Sequence, residues 1–142
     1  MTIATILDRK GRDIFSMAPD ALMSDVVKVL REKQIGAVLI AQQEKLCGII
    51  SERDIVRALS SKGGAALMMP VSEFMTRDVI TCSEADTIVA IMSKMTTGRF
   101  RHMPVLEEGK IVGLVSIGDV VKQRIAESER EAEDMRAYIA AG

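Results

Sequence analysis

The strongest constraint on this chain is that it repeats itself: residues 12–57 and 77–122 align under a constant shift of 65 positions without a gap. Seven of the 46 aligned pairs are identical, and the most telling ones cluster at the end of each copy. There Gly48-Ile49-Ile50-Ser51-Glu52-Arg53-Asp54 matches Gly113-Leu114-Val115-Ser116-Ile117-Gly118-Asp119. Such a chain must fold nearly the same way twice, because a unit of roughly 60 residues is marginal alone and needs its neighbour. Packing accounts for recurring apolar positions. It does not by itself require a matched serine and aspartate.

Each copy reads strand, helix, strand, strand, helix. In the first copy Ile14 to Met17 is a short strand stopped by Pro19, and Met23, Val26, Val27 and Leu30 follow at helical spacing. Ile88, Ile91, Met92 and Met95 repeat that apolar face in the second copy. Two strands come next, Ala37 to Ile40 and Leu46 to Ile50, joined by the polar Gln42-Gln43-Glu44. Their counterparts are His102 to Leu106 and Ile111 to Val115, joined by a turn containing Gly109. A helix starts after each motif serine. The pattern predicts a mixed α/β (α+β) fold of two pseudo-symmetric β-α-β-β-α units packed through their sheets, with a long C-terminal helix. The expected boundaries are 1–62, 63–124 and 125–142. Ser60 to Gly64 is the one flexible-looking stretch, leading to a helical turn at Val71 to Met75 with which Thr2 to Leu7 aligns.

The last segment is rich in Glu and Arg, and Val121, Ile125, Ser128, Ala132, Met135 and Ile139 follow alternating steps of four and three. That seam fits either a solvated helix resting on its own domain or a contact between two copies.

Composition narrows the function. A net charge of −1 gives no global field for nucleic acid or anionic lipid, and Arg99 to His102 is the most cationic spot near either motif. No run reaches membrane-spanning length and the first residues lack a signal-peptide pattern, so a soluble cytoplasmic protein is expected. Cys47 and Cys82 sit in apolar runs at non-equivalent places, which suggests free thiols in a reducing compartment. With a single histidine and no CxxC spacing, no metal site is expected. Nor is there a Walker or Rossmann glycine loop, or a nucleophile beside a base, so the chain is not expected to be an enzyme.

Ser-x-x-Asp after an apolar strand has two readings. As a helix capping box, the serine oxygen accepts from the third helical amide and the acid reaches back to the serine amide. Asp reaches back less well than Glu, and the repeated Gly48 and Gly113 do nothing for capping. A strand glycine instead marks a close approach to the backbone. As a ligand hook, the hydroxyl and the helix N-terminal amides suit phosphate, and the carboxylate can accept from two vicinal hydroxyls. Together they describe two ribose-phosphate sites.

The repeat resembles a tandem pair of CBS (cystathionine β-synthase-type) domains, a Bateman module, over nearly the whole chain. That family's Gly-apolar-apolar-(Ser/Thr)-x-x-Asp ending is present twice, and its apolar-Pro-Val strand is complete in Met103-Pro104-Val105. The first copy has Val38-Leu39-Ile40 without proline. The resemblance implies that Asp54 and Asp119 hold ribose hydroxyls and that Ser51 and Ser116 help hold phosphate. It implies backbone recognition of adenine at the strand entries Ile35-Gly36-Ala37 and Arg101-His102-Met103, with residues near Ser16 and Thr81 closing the sites. Arg101 or His102 is the expected phosphate partner at the second site. Arg53 offers a cation at the first site only, since Gly118 takes its place in the second copy.

The implied function is a regulatory sensor without a catalytic cofactor. It would bind AMP, ATP or an NAD-type ligand in clefts between paired domains, and ligand occupancy would shift the domains or a homodimer. The alternative is a ligand-independent dimerisation or interaction scaffold.

Overall fold

Hydrophobic spacing of three and four residues sets the helices, and short polar turns set the hairpins. The computed structural model describes residues 1–142. Along the chain run α1 (Ile3–Lys10), β1 (Ser16–Met17), α2 (Met23–Lys33), β2 (Ala37–Gln42), β3 (Lys45–Ser51), α3 (Glu52–Lys62), α4 (Ile88–Gly98), β4 (His102–Glu107), β5 (Lys110–Ser116) and α5 (Ile117–Ala141). Two 3-10 turns, Gly63–Met68 and Val71–Glu73, lie between α3 and α4. This is the expected mixed α/β arrangement, with its long C-terminal helix.

The repeat is visible in the backbone. Met23, Val26 and Leu30 are buried on α2, as are Ile88, Ile91 and Met95 on α4, while Val27 and Met92 lie half-buried on the flank. Both helices end on a left-handed residue, Gln34 (φ 53°) and Arg99 (φ 57°). Both hairpins turn through two residues of positive φ, Gln43 (51°) and Glu44 (65°), then Glu108 (52°) and Gly109 (79°). Such turns match the right-handed twist of the strands they join.

The first sheet has the order β1-β2-β3, with β1 parallel and β3 antiparallel to β2. Its register sets Ala37 opposite Ser51 and Leu39 opposite Ile49. The second sheet is the β4-β5 pair. The strand expected over Ile14 to Met17 shortens to two residues, and its second-copy counterpart is a single parallel bridge between Cys82 and Val105. Ile14 and Phe15 are exposed, so burial does not extend the first strand.

The stretch read as flexible is helical. Ser60 to Lys62 complete α3, and Gly63–Met68 winds on as a 3-10 turn that buries Ala66. Gly63 (φ 62°) is the breaker between them, so the glycine marks a helix end and not a loose linker.

Contacts group the residues into two units that are not consecutive in sequence. One comprises Asp13–Ile80 with Glu108–Ile111, and the other Met1–Arg12, Thr81–Glu107 and Val112–Gly142. The core of the former is built on Met23, Val26, Val38, Ile40, Ile50, Val71 and Met75. The core of the latter joins Ile3, Ile6 and Leu7 of α1 to Ile88, Ile91, Met103, Val105, Val115 and Val120. Thus α1 packs with the second repeat, and the segment that follows α3 packs with the first. No helix is long and apolar enough to cross a membrane.

Candidate functional site

Each motif begins where a strand ends. Ser51 and Ser116 are extended N-cap residues (φ −116° and −103°) at the starts of α3 and α5. Their hydroxyls accept from the amides of Asp54 (3.4 Å) and Asp119 (3.1 Å). In return the Ser51 and Ser116 amides each donate to Oδ2 of their own aspartate at 2.9 Å. Both are complete capping boxes, so the expectation that Asp reaches back poorly does not hold. The extended N-cap brings the serine amide close enough for the shorter side chain.

Helix-start amides are less available than expected. The first amide of α3, Glu52 N–H, donates to the Gly36 carbonyl at 3.1 Å. The first amide of α5, Ile117 N–H, donates to the Arg101 carbonyl at 2.8 Å. With the third amide held by serine as well, each helix start has two of its leading amides already engaged. The same bonds tie each strand entry to its hook, which brings Gly36 and Ala37 beside Ser51 and Asp54, and Arg101 beside Ser116 and Asp119.

The repeated glycines have a structural explanation. A Cβ on Gly48 would fall 2.7 Å from the Thr76 carbonyl oxygen and 2.9 Å from the Met75 sulfur. Without it, Thr76 pairs with Ile49 through two backbone bonds of 3.0 and 2.8 Å. That contact brings the Thr76 hydroxyl to Oδ1 of Asp54, to which it donates at 3.3 Å. A Cβ on Gly113 would fall 2.7 Å from Cδ2 of Leu7 on α1. Three residues further along the same helix, Lys10 Nζ donates to Asp119 Oδ2 (2.7 Å) and to the Leu114 carbonyl (2.9 Å). In each unit the glycine admits a neighbouring segment that supplies a partner for the aspartate.

Those partners make the two hooks unlike. Asp54 is 8 % exposed and is answered by a neutral hydroxyl, with Arg57 4.0 Å from Oδ1. Asp119 keeps a quarter of its side chain exposed and is paired with an ammonium. Partial burial pushes the Asp119 carboxyl up, but the hydrogen bonds from Lys10 and the Ser116 amide, with the Lys10 charge, bring it below its ordinary value.

The other candidate residues divide by exposure. Arg53, Arg101 and Gly118 are exposed, and His102 is half-buried. The Met103 side chain is fully buried, and Ala37 and Pro104 are buried too, so these three can offer a ligand only backbone groups. The Pro104 carbonyl already accepts from Cys82 N–H at 3.0 Å. Ile35 is half-buried against the first core. Ser16 is exposed on β1, opposite Leu39 and two places along β2 from Ala37. Thr81 is half-buried just before the Cys82 bridge. Sequence reading missed Lys10 and Thr76. Their only signal was that the segment preceding each copy aligns with the other under the same shift.

Comparison with known proteins gives the class. The CBS domain family model matches residues 8–61 and 71–125. The chain belongs to the CBS domain family and carries two such domains in tandem, a regulatory class of module. It is 31 % identical over 150 residues to the mitochondrial CBS domain-containing protein CBSX3 of Arabidopsis thaliana, covering 99 % of this chain and 73 % of that protein. The crystal structure of the CBS-domain-containing protein ATU1752 from Agrobacterium tumefaciens matches with a TM-score of 0.85 and 42 % identity, over 87 % of this chain and 99 % of that one. The CBS domain pair of protein MJ0100, crystallised with 5′-methylthioadenosine and S-adenosyl-L-methionine, matches with a TM-score of 0.77 and 25 % identity, over 87 % and 98 %.

Proposed function

We propose that this protein is a non-catalytic sensor of an adenosine compound of the AMP, ATP or NAD type, acting as a homodimer in a reducing cytoplasmic compartment. The observation that carries this reading is the paired hook: a hydroxyl, a carboxylate and a helix start held beside a strand entry, built twice in one chain. The adenosyl ligands of the MJ0100 pair support the ligand class. A ribose meets carboxylates that are already partly engaged. At Asp119 both the Ser116 amide and Lys10 donate to Oδ2, so an incoming hydroxyl donates to Oδ1 while the Lys10 ammonium stays beside it to meet a phosphate. At Asp54 an incoming hydroxyl replaces that of Thr76, with Arg53 and Arg57 as the nearby cations. The second hook, whose aspartate is the more open and already sits against an ammonium, takes the more anionic ligand.

Such a ligand regulates only through its difference in affinity between two arrangements of the protein. Thermal unfolding in the presence of millimolar AMP, ATP, NAD and S-adenosylmethionine, with guanosine analogues alongside, tests the reading. At 100 times its dissociation constant a ligand adds about 2.7 kcal/mol of stability. We expect a clear upward shift with at least one adenosine compound and none with the guanosine set. No shift with any of the four would transfer the function to a ligand-independent scaffold.

A further inference from the structure

Apart from the 3.9 Å ion pair of Glu131 with Arg124 on the same helix, the second half of α5 is not packed against the rest of the chain. Val120 and Gln123 are buried and Glu127 is half-buried, but every residue from Ser128 to Gly142 is exposed. About 14 residues of helix in water are marginal without packing. The face it leaves open is patterned. Val121, Ser128 and Met135 occupy d positions of a heptad, and Ile125, Ala132 and Ile139 occupy a positions. At 3.6 residues per turn this seam lies about 120° round the helix from the Val120–Gln123 face. It is solvent-exposed throughout, from 38 % at Val121 to 69 % at Ile139.

Charges beside the seam select the occupant and its direction. In a parallel, in-register pair each g residue faces the e residue five places on in the other helix. Here that sets Arg124 against Glu129 and Glu131 against Arg136, opposite charges in both pairs. Full antiparallel overlap would instead set Glu129 against Glu129 and Lys122 against Arg136. We propose that α5 is a self-association element that binds the same helix of a second copy as a parallel two-stranded coiled coil. Its two-fold axis runs along the seam, the closed symmetry usual for homodimers. Ser128 and Ala132 at the centre keep the contact weak enough to be reversible. This assignment does not depend on the nucleotide reading.

Sedimentation equilibrium of the full chain tests it, together with three variants. We expect a two-chain mass at tens of micromolar. Glu131→Arg turns two attractive pairs repulsive and should weaken association about tenfold. Adding Arg136→Glu to that variant restores the complementarity and should return the wild-type mass, which a merely structural effect of the first change would not do. On mild oxidation Ile139→Cys should give a covalent dimer, because only a parallel pair brings the two copies of residue 139 together. Ala137→Cys, on the outward face, should not. A monomeric mass, association indifferent to Glu131→Arg, failure of the double variant to recover, or no cross-link at residue 139 would each overturn the proposal.

Discussion

Asp54 and Asp119 stand at the same place in the repeat, cap equivalent helices, and are held by different chemistry. Asp54 is nearly buried and receives a threonine hydroxyl from the segment after the 3-10 turns. Asp119 is more open and receives a lysine from α1. The difference comes from the segment that each glycine admits, not from the motif. The two copies therefore share the cap and differ in the partner. Two motifs that look equal in sequence are held unequally in the fold.

The sharpest way to break this comparison is to fill the glycines. Gly48→Ala drives a methyl into the Thr76 backbone carbonyl, which cannot rotate away, whereas Gly113→Ala meets the end of the Leu7 side chain. Chemical denaturation should show a loss of about 2–3 kcal/mol for the first and about 1 kcal/mol for the second. Equal losses would mean that the neighbouring segments play no different role. Next in size are the caps. Ser51→Ala and Ser116→Ala should each cost about 1 kcal/mol, since both boxes are fully formed.

Much of this was readable beforehand. The helical faces at Met23 to Leu30 and Ile88 to Met95, the two hairpins and the start of each late helix all follow from local periodicity and turn chemistry, which a repeat shows twice. What could not be read was long-range. Nothing near Lys10 says that it will meet Asp119, because that pairing depends on α1 joining the core of the other copy. The glycine spacing suggested a close approach but not by what, and it turned out to be the chain itself. Ser60 to Gly64 misled because serine and glycine favour loops locally, while the buried Ala66 holds the next turn in place.

Smaller effects sharpen the ionic half of the comparison. Asp119→Asn keeps the cap geometry but removes the charge opposite Lys10, a partly exposed pair contributing well under about 1 kcal/mol. Because the native Asp119 carboxyl is held below its ordinary value, its contribution is complete above the unfolded value of about 3.9 and fades as pH falls through the native one. The difference in melting temperature between Asp119→Asn and wild type should therefore be full at neutral pH and shrink below about pH 4. A difference that grew in acid would contradict the ion-pair assignment. The smallest effect of all is expected at Cys82, whose thiol is pushed up to about 12 by burial and by the nearby Asp86 and Glu107. It should stay unmodified by a thiol reagent in the native protein, while the half-buried Cys47 reacts first.

Calorimetric titration of an adenosine nucleotide into wild type, Asp54→Asn and Asp119→Asn reaches the central claim most directly. Two hooks that grip ribose should show binding in the wild type, and each variant should weaken one binding event at least tenfold while leaving the other in place. Nucleotide heats that are identical in all three folded proteins would mean that the aspartates only cap their helices.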